Sequence, residues 1–114
     1  MKAVIINKNI TISQNVIEAS NLINRAIGLM FRSHLEPNNS LLINPCNSIH
    51  TCFMKFPIDV IFIDNKNKII KIIRGMKPWR FSSIHFKSKK VLELNSGTIG
   101  AGVEVGDILE FVDV

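Results

Sequence analysis

The sequence predicts a small, mainly β protein: a sandwich or barrel of seven or eight short strands, with one helix near the N-terminal third. Three observations predict it. Apolar residues come in short runs bounded by Asn, Gly, Pro or Ser, as strands and turns do. Only residues 21–31 show a helical period. The chain has 114 residues, 46% of them apolar, with no linker, repeat or low-complexity tract, so residues 1–114 are read as a single domain with its own core.

Taken in order, Ala3 to Ile6 is an apolar strand that ends at the turn candidate Asn7-Lys8-Asn9. Ile10-Thr11-Ile12 alternates as a strand does, Gln14-Asn15 breaks it, and Val16 to Ala19 resumes. Ser20 reads as the N-cap of a helix over Asn21 to Phe31, with Leu22, Ile23, Ala26, Ile27 and Met30 on one apolar face. Pro37-Asn38-Asn39-Ser40 is a loop. Strands are expected at Leu41–Asn44, Ile49–Met54, Val60–Asp64 and Ile69–Arg74, the last two joined as a hairpin by Asn65-Lys66-Asn67-Lys68. Gly75 to Ser88 reads as a long loop with room for one strand. Val91 to Leu94 alternates and sets Leu92 and Leu94 opposite Glu93. Ser96 to Val103 reads as a capped helical turn, Gly106-Asp107 as a turn, and Ile108 to Val112 as the closing strand.

The formal net charge is +5, and it is unevenly placed. Nine basic residues and no acid lie between Lys66 and Lys90, while the rest of the chain holds five basic residues against nine acids. Such segregation fits an anionic partner, and equally a solvated face in a lysine-rich chain. Cys46 and Cys52 are too few for a disulfide framework and are read as reduced thiols. The apolar run near the N-terminus is too short for an export signal and no run approaches a membrane span, so the expected location is cytoplasmic, without a membrane partner.

Reactive side chains concentrate in Pro45 to Asp64, PCNSIHTCFMKFPIDVIFID. Burying such groups in apolar strands costs free energy unless they are paired or used. On a straight strand Cys46, His50, Cys52 and Met54 share a face, a row of soft donors of the kind that suits Cu(I) or Zn(II). Donors two residues apart stand nearly 7 Å apart, at about 3.3 Å per residue, so Cys46, His50 and Cys52 would hold a metal only across a bulge. Core packing is the simpler role for Cys52 and Met54, and no cofactor is expected. By residue type alone, Cys46 or Cys52 with His50 and Asp59 supplies a nucleophile, a base and an orienting acid. Asp59 lies on the face of Ile61 and Ile63 and therefore needs a partner, for which Arg32 and Arg80 are candidates. It would either anchor a turn or Arg32, or floor a ligand pocket walled by His50, Lys55 and Arg80. Trp79 sits between Pro78 and Arg80 with Phe81 and Phe86 nearby, a mixture that stacks single-stranded nucleic acid or anchors a loop. His34 and His85 read as surface residues, and the glycines form no phosphate-binding loop.

Five signals follow one another in a set order. They are GLMFR at 28–32, SIHTCFMKFPIDVIFID, Pro78-Trp79-Arg80, VLEL followed by Gly97, and Gly102-Val103 with Gly106-Asp107 before the last strand. In this the chain resembles the uncharacterised family known as domain of unknown function 192, from about Val16 to Phe111. The resemblance implies a jelly-roll-like sandwich or barrel with a helix before the site region, and no established activity. The family pattern falls on Gly28, Leu29, Met30, Arg32, Met54, Asp59, Phe62, Asp64, Glu93, Gly97, Gly106 and Asp107. Many members carry a tryptophan just before the methionine of the site strand, where this chain has Cys52-Phe53. Many also carry an export signal, which is not visible here.

These readings point to a small β-rich binding module for a small anionic ligand or a segment of a partner protein. The site is expected where Ser48–Asp59 meets Pro78–Phe81, with Arg32, His50, Lys55, Asp59, Trp79 and Arg80 as binding residues. A second reading is an enzyme that uses Cys46, His50 and Asp59. A third is a single-stranded nucleic-acid binder working through the basic 66–90 stretch.

Overall fold

The short apolar runs become strands, and alternation along them builds two cores. The computed structural model describes residues 1–113. Its elements are β1 (Lys2–Ile5), β2 (Ile10–Ser13), β3 (Asn15–Ala19), α1 (Leu22–Ile27), β4 (Asn39–Ile43), β5 (Ile58–Ile63), β6 (Ile69–Met76), β7 (Lys90–Asn95) and β8 (Leu109–Val112). A three-stranded sheet has the order β2-β1-β8, and a five-stranded sheet the order β3-β4-β7-β5-β6. The two sheets stay separate, so of the expected alternatives the sandwich forms and the closed barrel does not. Among the described residues only β3 and β4 pair in parallel, and the crossover between them carries α1.

The five-stranded sheet is the middle layer. Ile61 and Ile63 of β5 and Leu92 and Leu94 of β7 face the three-stranded sheet, where they meet Ala3, Ile5, Ile12 and Leu109. Their neighbours Ile58, Val60, Phe62 and Val91 point the other way, against Leu29, Leu35, Ile49 and Met54. That second face is covered by connecting segments rather than by another sheet. No helix among the described residues is long and apolar enough to cross a membrane.

The 64–68 turn forms as expected. Asp64 Oδ1 accepts the Lys66 and Lys68 amides at 2.9 Å, and Asn67 takes the left-handed φ that such turns require. Other expectations are corrected. The helix covers Leu22–Ile27 rather than Asn21–Phe31, and Asn21, not Ser20, caps it by accepting the Asn24 amide. Gly28 ends it at φ +50. The apolar face of the helix does not enter the core: Leu22 is 74% exposed and Ile23 68%. Residues 96–103 form turns without a helix.

The expected strand at Ile49–Met54 is absent; His50 makes a single isolated bridge to Phe81. The segment's hydrogen bonds are satisfied elsewhere. Thr51, fully buried, receives the Trp79 amide on its carbonyl and gives its own amide to Arg80 O. Its hydroxyl donates to Lys77 O at 2.6 Å and accepts the Arg80 amide at 2.8 Å. Phe53 then takes φ +62 and reverses the chain. Residues 49–54 are thus a loop pinned to the loop that carries Trp79.

Candidate functional site

Where the connecting segments cover the second face, they leave a cleft. It measures about 430 Å³ and lies between α1, the 45–54 loop and the five-stranded sheet. Ile27, Ile43, Ile49 and Met54 give it apolar walls; Arg25, Cys46, His50 and Glu93 supply its titratable groups. Its volume falls within the usual range for small-molecule pockets.

Glu93 lies deepest. On β7 it stands opposite Leu41 of β4 and Val60 of β5, so alternation points it into the second core. It is 3% exposed, and its Oε1 has no hydrogen-bond partner. Burial pushes its pKa from 4.5 up to about 8. Gly28 lies directly above: a methyl group placed there would stand 3.6 Å from Glu93 Oε1. Arg25, on the last turn of α1, reaches over the cleft, and its Nη1 donates to Pro45 O at 3.3 Å. Its Nε is buried without a partner. No ion pair joins Arg25 to Glu93 among the described residues.

Cys46 Sγ donates to Ser48 O at 3.1 Å. Its pKa is raised, chiefly by burial and further by the nearby charge of Glu93. A raised thiol pKa is the reverse of what a nucleophilic cysteine needs. His50 Nδ1 accepts the Cys52 amide at 3.1 Å.

Of the residues expected to bind ligand, only His50 lines this cleft. Arg32 borders two shallow depressions on the far side of α1. Lys55, Trp79 and Arg80 are exposed on the adjoining loops. Asp59 faces the other core. Its Oδ1 accepts the Gly75 amide at 2.8 Å, and its Oδ2 accepts those of Gly97 and Ile99 at 3.1 and 3.0 Å. Backbone amides thus take the place expected for Arg32 or Arg80, and Asp59 ties β6 to the 97–99 turn. The sheet separates it from Cys46 and His50, so the Cys–His–Asp constellation is not assembled. The Cys46, His50 and Cys52 row does not form either, and the described residues contain no group of three or more His, Cys, Asp or Glu placed to hold a metal.

Three cations of the basic stretch have separate local contacts. Arg74 donates to Gly100 O and Val103 O, Lys90 sits over the Phe111 ring, and Arg80 lies beside Trp79. His34 is exposed and bonds Glu36, whereas His85 is half-buried against Phe62 rather than free on the surface. Arg25 and Glu93 were missed as site residues. The family pattern had included Glu93, and that was the one available signal for it.

An open two-sheet β-sandwich with a loop-covered cleft on its outer face defines the class. The chain belongs to the DUF192 family, described as Uncharacterized ACR, whose pattern matches residues 4–111. It is 41% identical to a UPF0127 protein of Pyrococcus furiosus, over 82% of this chain and 83% of that protein. A crystal structure from Novosphingobium aromaticivorans, of a protein of unknown function, shares the fold. It has a TM-score of 0.74 and 23% identity, and covers 84% of this chain and 74% of that one. A second, from Sinorhizobium meliloti, is described as a "putative transcription regulator". It has a TM-score of 0.72 and 30% identity, over 83% of this chain and 79% of that one.

Proposed function

We propose that this protein is a small-molecule binding module whose cleft takes an anion with an apolar body, of the carboxylate class. One observation carries the reading. Two buried side-chain polar atoms lack a partner among the described residues, Arg25 Nε and Glu93 Oε1, and both residues line the same cleft. Buried polar groups without partners cost about 1–3 kcal/mol each, so a fold retains such a pair where a ligand can satisfy it.

The charge follows from the titrating groups. Near neutral pH Glu93 holds its proton and presents an O–H, while Arg25 keeps its positive charge. An oxyanion can accept from both, and its apolar portion can lie against Ile27, Ile43, Ile49 and Met54. Once Glu93 ionises, the same oxyanion meets a like charge. Binding is therefore strongest below about pH 8 and weakens above it.

The test is amide NMR titration with benzoate, hexanoate and indole-3-acetate, and with matching amines. The carboxylates should shift Gly28, Cys46, His50 and Glu93, and their affinity should fall as pH rises through about 8. Glu93→Gln should keep binding and lose that pH dependence; Arg25→Gln should lose binding. Preference for the amines, or shifts confined to other surfaces, would refute the reading.

A further inference from the structure

A second surface borders the cleft and is marked by its backbone. Six described non-glycine residues have positive φ. Three are Asn9, Asn38 and Asn67, of the type that adopts this region readily in turns. The other three are Phe31, Phe53 and Trp79, at φ +65, +62 and +63. Bulky side chains are disfavoured there, and glycine would serve each turn at lower cost.

Those same three rings touch one another. Phe31 and Phe53 have ring centroids 5.2 Å apart, and Phe53 and Trp79 4.7 Å apart. The Phe31 amide donates to Phe53 O, and the Trp79 amide to Thr51 O, so the three turns are held together by backbone as well. Yet the rings are not core residues: their exposures are 62%, 48% and 56%. Strained backbone conformations persist where the surrounding structure enforces them, and they cluster at functional positions. The fold accepts strain at three places and gains a continuous aromatic strip on its surface.

Next to the rings in sequence the charged residues are basic, although Glu18 and Glu36 share the shallow depressions that Arg32 borders. Residues 19–35, 37–58 and 65–92, which carry the three rings, contain no Asp or Glu. Arg32 follows Phe31, Lys55 lies two residues after Phe53, and Arg80 follows Trp79. A partner that fits must offer flat apolar faces and negative charge together. We propose that the Phe31–Phe53–Trp79 strip is a stacking platform for single-stranded nucleic acid, with Arg32, Lys55 and Arg80 meeting its phosphates. The two centroid steps, 5.2 and 4.7 Å, limit the outer rings to at most about 10 Å apart, room for about two or three bases. A purely apolar peptide would use the rings and leave the cations unmatched. The proposal relocates nucleic-acid recognition from the basic 66–90 stretch to the aromatic strip, and it does not rest on the carboxylate reading of the cleft.

Trp79 is the only tryptophan in the chain, so its fluorescence reports on the strip directly. The full-length protein is titrated with oligothymidylate and oligouridylate of about a dozen nucleotides, and with a duplex of equal length. Binding is also followed by the anisotropy of a labelled strand. Saturable quenching is expected for single strands, weakening as salt rises and much weaker for the duplex. Phe31→Ala and Phe53→Ala should each lower affinity at least about fivefold. Trp79→Phe, which keeps a ring, should retain most of it, and Lys66→Gln, on the 64–68 hairpin, should change it far less. Circular dichroism melts identify variants that fold.

Four results would overturn the proposal. The first is no binding at low salt, and the second is binding that folded Phe31→Ala and Phe53→Ala variants leave unchanged. The third is concentration-dependent dimerisation that those variants abolish, which would make a second copy the occupant. The fourth is a response to anionic vesicles and to no oligonucleotide.

Discussion

Replacing Glu93 by Gln should make the protein more stable, and more so as pH rises. Glutamine keeps the shape and a donor of the protonated acid but cannot ionise. In the folded protein burial holds the Glu93 pKa at about 8, against 4.5 without burial. The sign follows from linkage. Below about 4.5 both folded and unfolded chains carry the proton, and the natural protein and the variant respond alike. Between about 4.5 and 8 the unfolded chain ionises while the folded one does not, so the natural protein loses stability. Above about 8 the loss is complete. At 1.36 kcal/mol per pKa unit the ceiling is roughly 5 kcal/mol, and relaxation around the charge lowers the expected loss to about 2–4 kcal/mol. Urea denaturation of both proteins at about pH 5, 7 and 9 measures it, because other titrating groups cancel in the difference. The stability gap should open steadily in favour of Gln. A constant gap would mean that Glu93 does not hold its proton. A gap that opens the other way would mean that Arg25 stabilises the carboxylate, and the cleft would then suit a different ligand.

Asp59→Asn should cost roughly 1–3 kcal/mol in urea denaturation, because an amide group cannot serve all three N–H donors now bonded to the carboxylate. Arg32→Ala should change stability little; an equal loss would mean that the two residues act together after all. At Trp79, with φ +63, glycine should give a more stable protein than alanine by about 1 kcal/mol, measured on the two variants side by side. If alanine is as good as glycine, the backbone there is not strained, and the argument from strain fails.

Much of the sandwich was legible because its strands obey period two. In VLEL the alternation alone separates Leu92 and Leu94 from Glu93, and those residues do face opposite cores. The 64–68 turn carried its own signal in Asn and Asp. The covering segments were less legible. Ile49–Met54 has the composition of a strand, but its hydrogen bonds are taken by Thr51 and the Trp79 loop, a long-range fact with no local trace. Phe53 at positive φ is invisible in sequence, because phenylalanine does not announce that conformation. The helical period of Leu22, Ile23 and Ile27 is present, but Gly28 ends the helix early and no element packs over its apolar face. Glu93 alternates like a solvent-facing acid; only the loops that cover its side of the sheet bury it.

The departures from ordinary stability rules are unevenly distributed. On the side of the three-stranded sheet the polar groups that are buried have partners: Ser13 with Ser40, Asp59 with three amides, Asp107 with Asn7 and Lys8. The loop-covered side holds both unpartnered polar atoms, the three aromatics at positive φ, and the exposed apolar face of α1. A folded protein of this size is stable by only about 5–15 kcal/mol, and several costs of about 1–3 kcal/mol on one side consume much of that margin. Local rules are most often broken where a site needs the break. The same departures would be expected from a cleft and a neighbouring surface that are completed by ligands. If Glu93→Gln and Trp79→Gly both stabilise the chain while removing, respectively, the pH dependence of carboxylate binding and the binding of single strands, the costs and the functions reside in the same residues. If they stabilise it and leave both that pH dependence and the binding of single strands unchanged, these departures reflect only how the loops close over the sheet.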